Sequence, residues 1–335
     1  MLFLVLGAIA LVVLLELLLR LLGYTTSAEP SVQMHPNMKS ADELLGWRSP
    51  VGRHVFLPYS PSVDTIMITV GQDGKRPTAP QPQGDTACHQ VSLLGSFDTF
   101  GWAVSDQDTY AWKLQERLST VKIDNFSVPG HTTYQSLLLL EEQINSSDLG
   151  IVLYEFEKYS PMRNRGAEAF IKLIYRFYDG GGRTMPYVEK GEDGKLQRFS
   201  PDEFRMPFTK QSALVNLMYR KYLGWFPPGR HVTEDNEVME LLYQEIVAVT
   251  KAHDAQFVVL FLIADKANLA QQAILDRLGI SYIDCSQDVS DEFRVPGYKA
   301  PNGKIHTAWA DCIASKIQDF LPEGEKDCLE GTADL

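Results

Sequence analysis

A hydroxyl, a loop glycine and a few imidazoles are the groups in this chain whose types and positions suit chemistry. Ser96 closely follows the apolar run VSLL at 91–94, inside the sharp turn Gly95-Ser96-Phe97-Asp98-Thr99-Phe100-Gly101. Ligands of open α/β sheets bind where strands end and loops begin, so a small hydroxyl residue there stands in the best place for a nucleophile. A second loop, Pro129-Gly130, follows the apolar run 121–126 and brings a turn glycine to the same side. Asp98 lies in the same tight turn as Ser96, and that spacing alone makes no catalytic pair. The seven histidines (His35, His54, His89, His131, His231, His253 and His306) show no His-x-x-x-His spacing, so no metal site is expected. His131 follows Gly130 at the expected pocket rim and reads most simply as an exposed loop residue. His306 lies on the last helix and reads as a helix-surface or supporting histidine.

The elements that must position these groups follow from periodicity. Residues 91–94 form a strand, 110–118 an amphipathic helix and 121–126 a second strand, which together make a βαβ unit. A helix over 134–144 and a strand over 151–156 come next. The continuous apolar FVVLFL at 257–262 fits a strand covered on both faces. A helix over 268–278 ends at Gly279, which suits a left-handed cap. A short strand at 281–284 and a helix from about 303 to 320 complete the pattern. Strands alternating with helices give a three-layer α/β/α, flavodoxin-like sheet of about five parallel strands.

The organisation read from the sequence is a membrane helix at 1–23, a stalk and small β extension at 24–86, and the α/β domain at 87–322. The domain carries an insertion at about 160–250, and a polar tail covers 323–335. Residues 24–50 read as the stalk proper, and VDTIMITV at 63–70 as a strand of the extension. Within the insertion, helices are expected at 167–178, 212–222 and 234–252, with a breaker at Gly180-Gly181-Gly182 and an aromatic-rich stretch at 199–208.

Composition sets outer bounds. The chain has 335 residues, is 44% hydrophobic and carries a net charge of -12. That charge argues against a nucleic-acid surface, which needs clustered Lys and Arg. No Gly-rich phosphate loop is present, and no cofactor is implied. The first 22 residues, MLFLVLGAIALVVLLELLLRLL, are almost wholly apolar. As a helix, residues 2–22 reach about 31 Å, roughly the thickness of a bilayer core. Glu16 and Arg20 stand four apart and can pair on one face. A cleaved signal peptide, cut near Thr26-Ser27-Ala28, is the rival reading, but the basic n-region is missing and the core is long. Four cysteines (Cys88, Cys285, Cys312 and Cys328) lack Cys-x-x-Cys spacing. They read as small buried hydrophobes, with one disulfide possible if the domain is exported. Asn125-Phe126-Ser127 and Asn145-Ser146-Ser147 match the glycosylation pattern, a pattern common by chance.

Three stretches carry a family resemblance. Leu94-Gly95 through Trp102, with Thr109-Tyr110 and Leu114-Gln115, resembles the first block of SGNH (GDSL-type) hydrolases, roughly G-[DC]-S-F-T-x-G-W. Residues 125–135 resemble the second block, in which Gly130 would donate its N–H to an oxyanion. Aligned without gaps, the nucleophilic serine falls on Phe97; one deletion and one insertion put Ser96 there instead. The third block keeps Tyr154, Phe156, Arg163 and Asn164, but Glu157 fills a slot where relatives hold an oxyanion-donating Asn, and Glu155 replaces a glycine. Residues 295–306 resemble P-G-D-G-H-P-N-x-K-x-H, with Tyr298 at the Asp position and Ala300 at the His position.

The resemblance implies an esterase, or an O-acyl esterase or transferase, acting on envelope lipid or carbohydrate. Its catalytic residues would be Ser96, Gly130 and a substitute base such as His306 or His131. The altered corners imply the alternative, a catalytically silent SGNH-fold protein that binds an acylated small molecule, a carbohydrate or a partner. Membrane-anchored relatives place the domain outside the cytoplasm, although Arg20, Lys39, Arg48 and Arg53 after the span weakly favour the other side.

Overall fold

The apolar runs become the buried strands. The computed structural model describes residues 2–24, 26, 38–56, 65–81, 89–144, 149–166, 185–201, 208, 211–218 and 232–321. A helix, α1 (Leu2–Leu21), comes first, followed by short strands β1 (Ser40–Asp42), β2 (Gly46–Arg48), β3 (Gly52–Phe56) and β4 (Ile66–Val70). The central unit is β5 (His89–Leu94), α2 (Phe97–Phe100), α3 (Tyr110–Arg117), β6 (Val121–Asn125) and α4 (Thr133–Gln143). Next come β7 (Ile151–Glu155), α5 (Ser160–Asn164) and a hairpin of β8 (Tyr187–Lys190) and β9 (Leu196–Phe199). The chain closes with α6 (Val232–Lys251), β10 (Gln256–Ile263), α7 (Lys266–Leu278), β11 (Ser281–Gln287) and α8 (Gly303–Ile317).

Five strands pair in parallel in the order β11-β10-β7-β5-β6. Counted along the chain this is the doubly wound order 2-1-3-4-5, whose binding crevice lies beyond the carboxyl ends of the strands. Alternation along each strand divides the core into two layers. Val152, Tyr154, Val259 and Phe261 pack with α4, α6 and α7. Ile151, Leu153, Val258 and Leu260 pack against α3 and α8 through Leu114, Trp309 and Ile313. Helix ends are fixed by side-chain and glycine caps, of which the Gly279 cap was expected. Thr132 and Gln135 form a capping box, Asp265 caps α7, Gly279 closes it in the left-handed region, and Asn302 caps α8.

The accessory strands differ from expectation in ways that matter for the site. From Met38 onward, the stretch read as stalk packs into the domain: Met38, Leu45 and Trp47 are buried. The strand expected at 63–70 is β4, paired antiparallel with β3. Both pack on Phe100 and Trp102 beside α2. The β8–β9 hairpin was not anticipated from sequence, because VEK and QRF lack a long apolar alternation. Cys285 and Cys312 are joined in a disulfide, which corrects the reading of these two as merely buried hydrophobes. Asn125 is 1% exposed and bonds the Thr99 carbonyl, so it is a structural residue rather than a glycan acceptor. The helix at 167–178, the glycine breaker, Asn145, Cys88 and Cys328 lie outside the described residues.

Candidate functional site

A cavity of about 590 Å³ opens at the carboxyl ends of β7 and β10. Its walls come from four stretches of the chain: α2 and Trp102, residues 155–159 at the end of β7, residues 263–268 where β10 leads into α7, and residues 297–301 before α8. Five aromatic side chains line it (Phe97, Trp102, Phe156, Tyr159 and Tyr298), together with the carboxylates Asp98, Glu155, Glu157 and Asp265. Trp102 Nε1 donates to Tyr298 Oη at 2.8 Å, tying the turn after β5 to the C-terminal block. Lys158 and Asp265 form an ion pair at 3.0 Å, linking the end of β7 to the start of α7.

The turn after β5 is shaped around one carboxylate. Glu155 Oε2 accepts the N–H groups of Ser96 at 3.1 Å and Thr99 at 2.9 Å. Gly95 is required by this close approach, since a Cβ there would lie 2.6 Å from Glu155 Oε2. Asp98 bonds Glu155 side chain to side chain, and burial followed by the Glu155 and Glu157 charges pushes its carboxyl well above the usual range. Burial also raises Glu155, against the Thr99 and Ser96 donors that favour its charged form. Each of the two neighbouring carboxyls disfavours the charged form of the other. Glu157 pairs with Arg163 at 2.6 Å.

Behind the turn, Ser96 is 2% exposed, and its Oγ accepts the Gly130 N–H at 3.1 Å. Gly130 takes φ +82, a left-handed conformation that favours glycine. The structure therefore brings Ser96 and Gly130 together, but hydroxyl and amide bond each other, and neither lines the cavity. His306 is placed elsewhere. It is 1% exposed on α8, stacks near Tyr110 and Trp309, and its Nδ1 accepts the Tyr110 N–H at 3.1 Å. Burial, then the Arg76 and Lys113 charges, lower its pKa to about 3. The helix-surface reading of His306 is thus corrected, because its neutral ring is a core acceptor. His131 is also buried, not an exposed loop residue. Its Nε2 meets the Trp47 carbonyl at 3.0 Å, and burial lowers its pKa to about 3. Among the described residues no histidine lines the cavity, and no group of His, Cys, Asp or Glu has the geometry to hold a metal ion.

Two supporting residues escaped the sequence reading. Arg76 is 1% exposed and donates to the carbonyls of Phe100, Gly101 and Val104. It fixes the exit of α2 and pairs with Asp106 at 3.1 Å. Lys39 lies over the Trp47 ring at 4.1 Å, behind Gly130, and burial lowers its pKa to about 7. A buried Arg after a Gly-containing turn carries no local pattern that could have marked it.

The strand order and the two helical layers make a three-layer, flavodoxin-like α/β/α fold, and the turn at 95–101 faces the Gly130 loop, the arrangement that the resemblance to SGNH hydrolases implies. The chain is similar to solved structures of a G-D-S-L family protein and of esterases. One is a lipolytic protein of the G-D-S-L family from Veillonella parvula (8% identity, TM-score 0.39, 68% of this chain and 97% of that one). A second is the psychrotrophic esterase EstA from Pseudoalteromonas (11% identity, TM-score 0.42, 69% and 98%). A third is a catalytic mutant of the acetylxylan esterase Axe2 from Geobacillus stearothermophilus (10% identity, TM-score 0.38, 69% and 94%). No family model and no curated protein matches the chain.

Proposed function

We propose that this protein is a membrane-anchored SGNH-fold binding protein, not a serine esterase, and that its cavity takes a carbohydrate. One observation carries the reading: the groups that acyl transfer would need are already spent on one another. An oxyanion hole works because free N–H donors wait where charge develops. Here the Ser96 N–H serves Glu155, and the Gly130 N–H serves the Ser96 hydroxyl. A carboxylate already occupies the donors, so an incoming oxyanion would meet negative charge. Ala300 stands where the base is expected and can accept no proton, and Phe97 fills the ungapped nucleophile position with a ring.

What the cavity offers instead is a binding chemistry. Aromatic faces stack on the apolar faces of sugar rings, and carboxylates accept hydroxyl protons in strong charge-assisted bonds. Its volume lies within the roughly 300–1,000 Å³ span of small-ligand pockets. The helix α1 is long and apolar enough to cross a membrane, which supports a single-pass anchor. The Cys285–Cys312 disulfide supports an extracytoplasmic domain, since such bonds persist in oxidising compartments.

The test is saccharide titration of the full chain in detergent, followed by Trp fluorescence and calorimetry. Saturable binding is expected, weakened at least about tenfold by Asp98→Ala, a loss of about 1.4 kcal/mol. Ester turnover that disappears in Ser96→Ala, with no saccharide binding, would return the protein to the esterase reading.

A further inference from the structure

The large apolar side chains of α1 are mostly 40–88% exposed, yet Leu19 is only 8% exposed. That covered position marks where the domain meets the helix. Glu16 and Arg20, one turn apart, pair at 2.7 Å and both grip the insertion. Glu16 accepts the N–H groups of Ala213 at 2.8 Å and Leu214 at 2.9 Å, and the Ser212 hydroxyl at 2.8 Å. Arg20 donates to the Gln211 carbonyl at 2.7 Å. The Ser212 hydroxyl in turn accepts the Val215 N–H at 3.1 Å, so the helical segment 213–218 starts on a double cap.

Satisfaction of this kind is what an apolar depth demands, because an unpaired backbone N–H cannot stay in hydrocarbon. Glu16 lies five residues before the end of α1, about 7–8 Å along the axis. If α1 spans, the knot sits just inside the membrane boundary, where a bare carboxylate or bare amides would be costly. On the same segment Phe208 is 69% and Met218 55% exposed, large apolar groups left outside the domain core. Tyr24, just past α1, is 45% exposed at the level where aromatic residues favour the interface.

The geometry points to residue 208 and residues 211–218 as a membrane foot. Phe208 and Met218 enter the acyl–headgroup boundary of the bilayer that α1 crosses, and the Glu16–Arg20 knot holds them there. This rests on the anchor reading of α1 given above. The partner is a lipid surface, recognised by apolar side chains beside an internally satisfied polar cluster. The foot fixes the domain at one height and tilt above the membrane, where a free stalk would let it swing.

The test uses the full chain in phosphatidylcholine nanodiscs, with a nitroxide placed in turn by Phe208→Cys, Met218→Cys and Leu269→Cys. Leu269, on α7, is 70% exposed and serves as the surface reference. Power saturation should show the labels at 208 and 218 several-fold more accessible to oxygen than to a water-soluble nickel chelate, relative to 269. The same ratio at all three sites, with the chain still in the disc, would overturn the foot. A chain that fails to enter the disc would instead sink the anchor reading and the foot with it. Adding Glu16→Ala should shift the label at 208 toward water while the chain stays in the disc; an unchanged label would remove Glu16 from its holding role.

Discussion

Glu155 receives the N–H groups of Ser96 and Thr99, and Glu16 receives those of Ala213 and Leu214. Both carboxylates therefore cap the start of a helical segment that belongs to a distant part of the chain. Their company differs. Glu16 has Arg20 at 2.7 Å, so its charge is matched where it stands. Glu155 has Asp98 and Glu157 as near neighbours, and the Arg163 guanidinium pairs with Glu157. The same backbone device thus makes a charge-matched clamp in one place and a cavity-facing carboxyl pair in the other.

The comparison breaks most visibly at Glu155. Glu155→Ala strands two buried N–H donors, each worth about 1–3 kcal/mol, and urea unfolding of the full chain should report a loss of about 3 kcal/mol. Glu155→Gln keeps one acceptor oxygen and should lose much less. A similar small loss for both variants would mean that the two N–H bonds do not hold the turn.

Asp98→Asn should act in the opposite direction. The folded-state pKa of Asp98 is raised above its ordinary value of 3.8. Its contribution to stability is therefore complete below pH 3.8 and is lost as pH rises through the folded value. An amide has no such penalty, so the variant should exceed the native chain by about 1 kcal/mol or more at pH 8. The gap should close toward pH 4. A constant gap across pH would mean that the fold does not disfavour the charged form of Asp98.

His306 sharpens the contrast with the reverse slope. Its folded pKa is lowered from 6.5 to about 3, so its stability is present above pH 6.5 and lost as pH falls toward 3. Replacing it by Gln should flatten the acid limb of the stability curve between those values, measured by thermal unfolding at stepped pH. The smallest effect is expected at the matched carboxylate. Glu16→Ala should leave the global unfolding midpoint nearly unchanged and speed hydrogen exchange at the amides of Ala213 and Leu214. A global loss as large as that of Glu155→Ala would erase the distinction between clamp and pair.

Much of the fold was legible in the sequence because strong local patterns agreed with the tertiary result. FVVLFL read as a covered strand, and Gly279 marked a helix end by its chemistry. Phe97, Glu157 and Ala300, singled out in the sequence, all line the cavity. What stayed hidden depended on long-range contact. The bond between Ser96 Oγ and Gly130 joins residues 34 apart, and Glu155 reaches Ser96 across 59. Arg76 drew no notice because nothing local reveals three carbonyls waiting above a turn. His131 and His306 looked like surface residues because burial of a neutral imidazole leaves no spacing to read. The stretch from Met38 to Trp47 looked like stalk because its few apolar residues carry no period, yet Trp47 donates to the Pro129 carbonyl and supports the Gly130 loop.

The central claim is that the Ser96 hydroxyl and the two nearby N–H donors are already committed within the protein. Fluorophosphonate treatment of the full chain, read by intact mass, tests it most directly. The expected result is no adduct at neutral pH, with native chain and Ser96→Ala indistinguishable. A stoichiometric adduct on Ser96, absent from Ser96→Ala, would contradict the account.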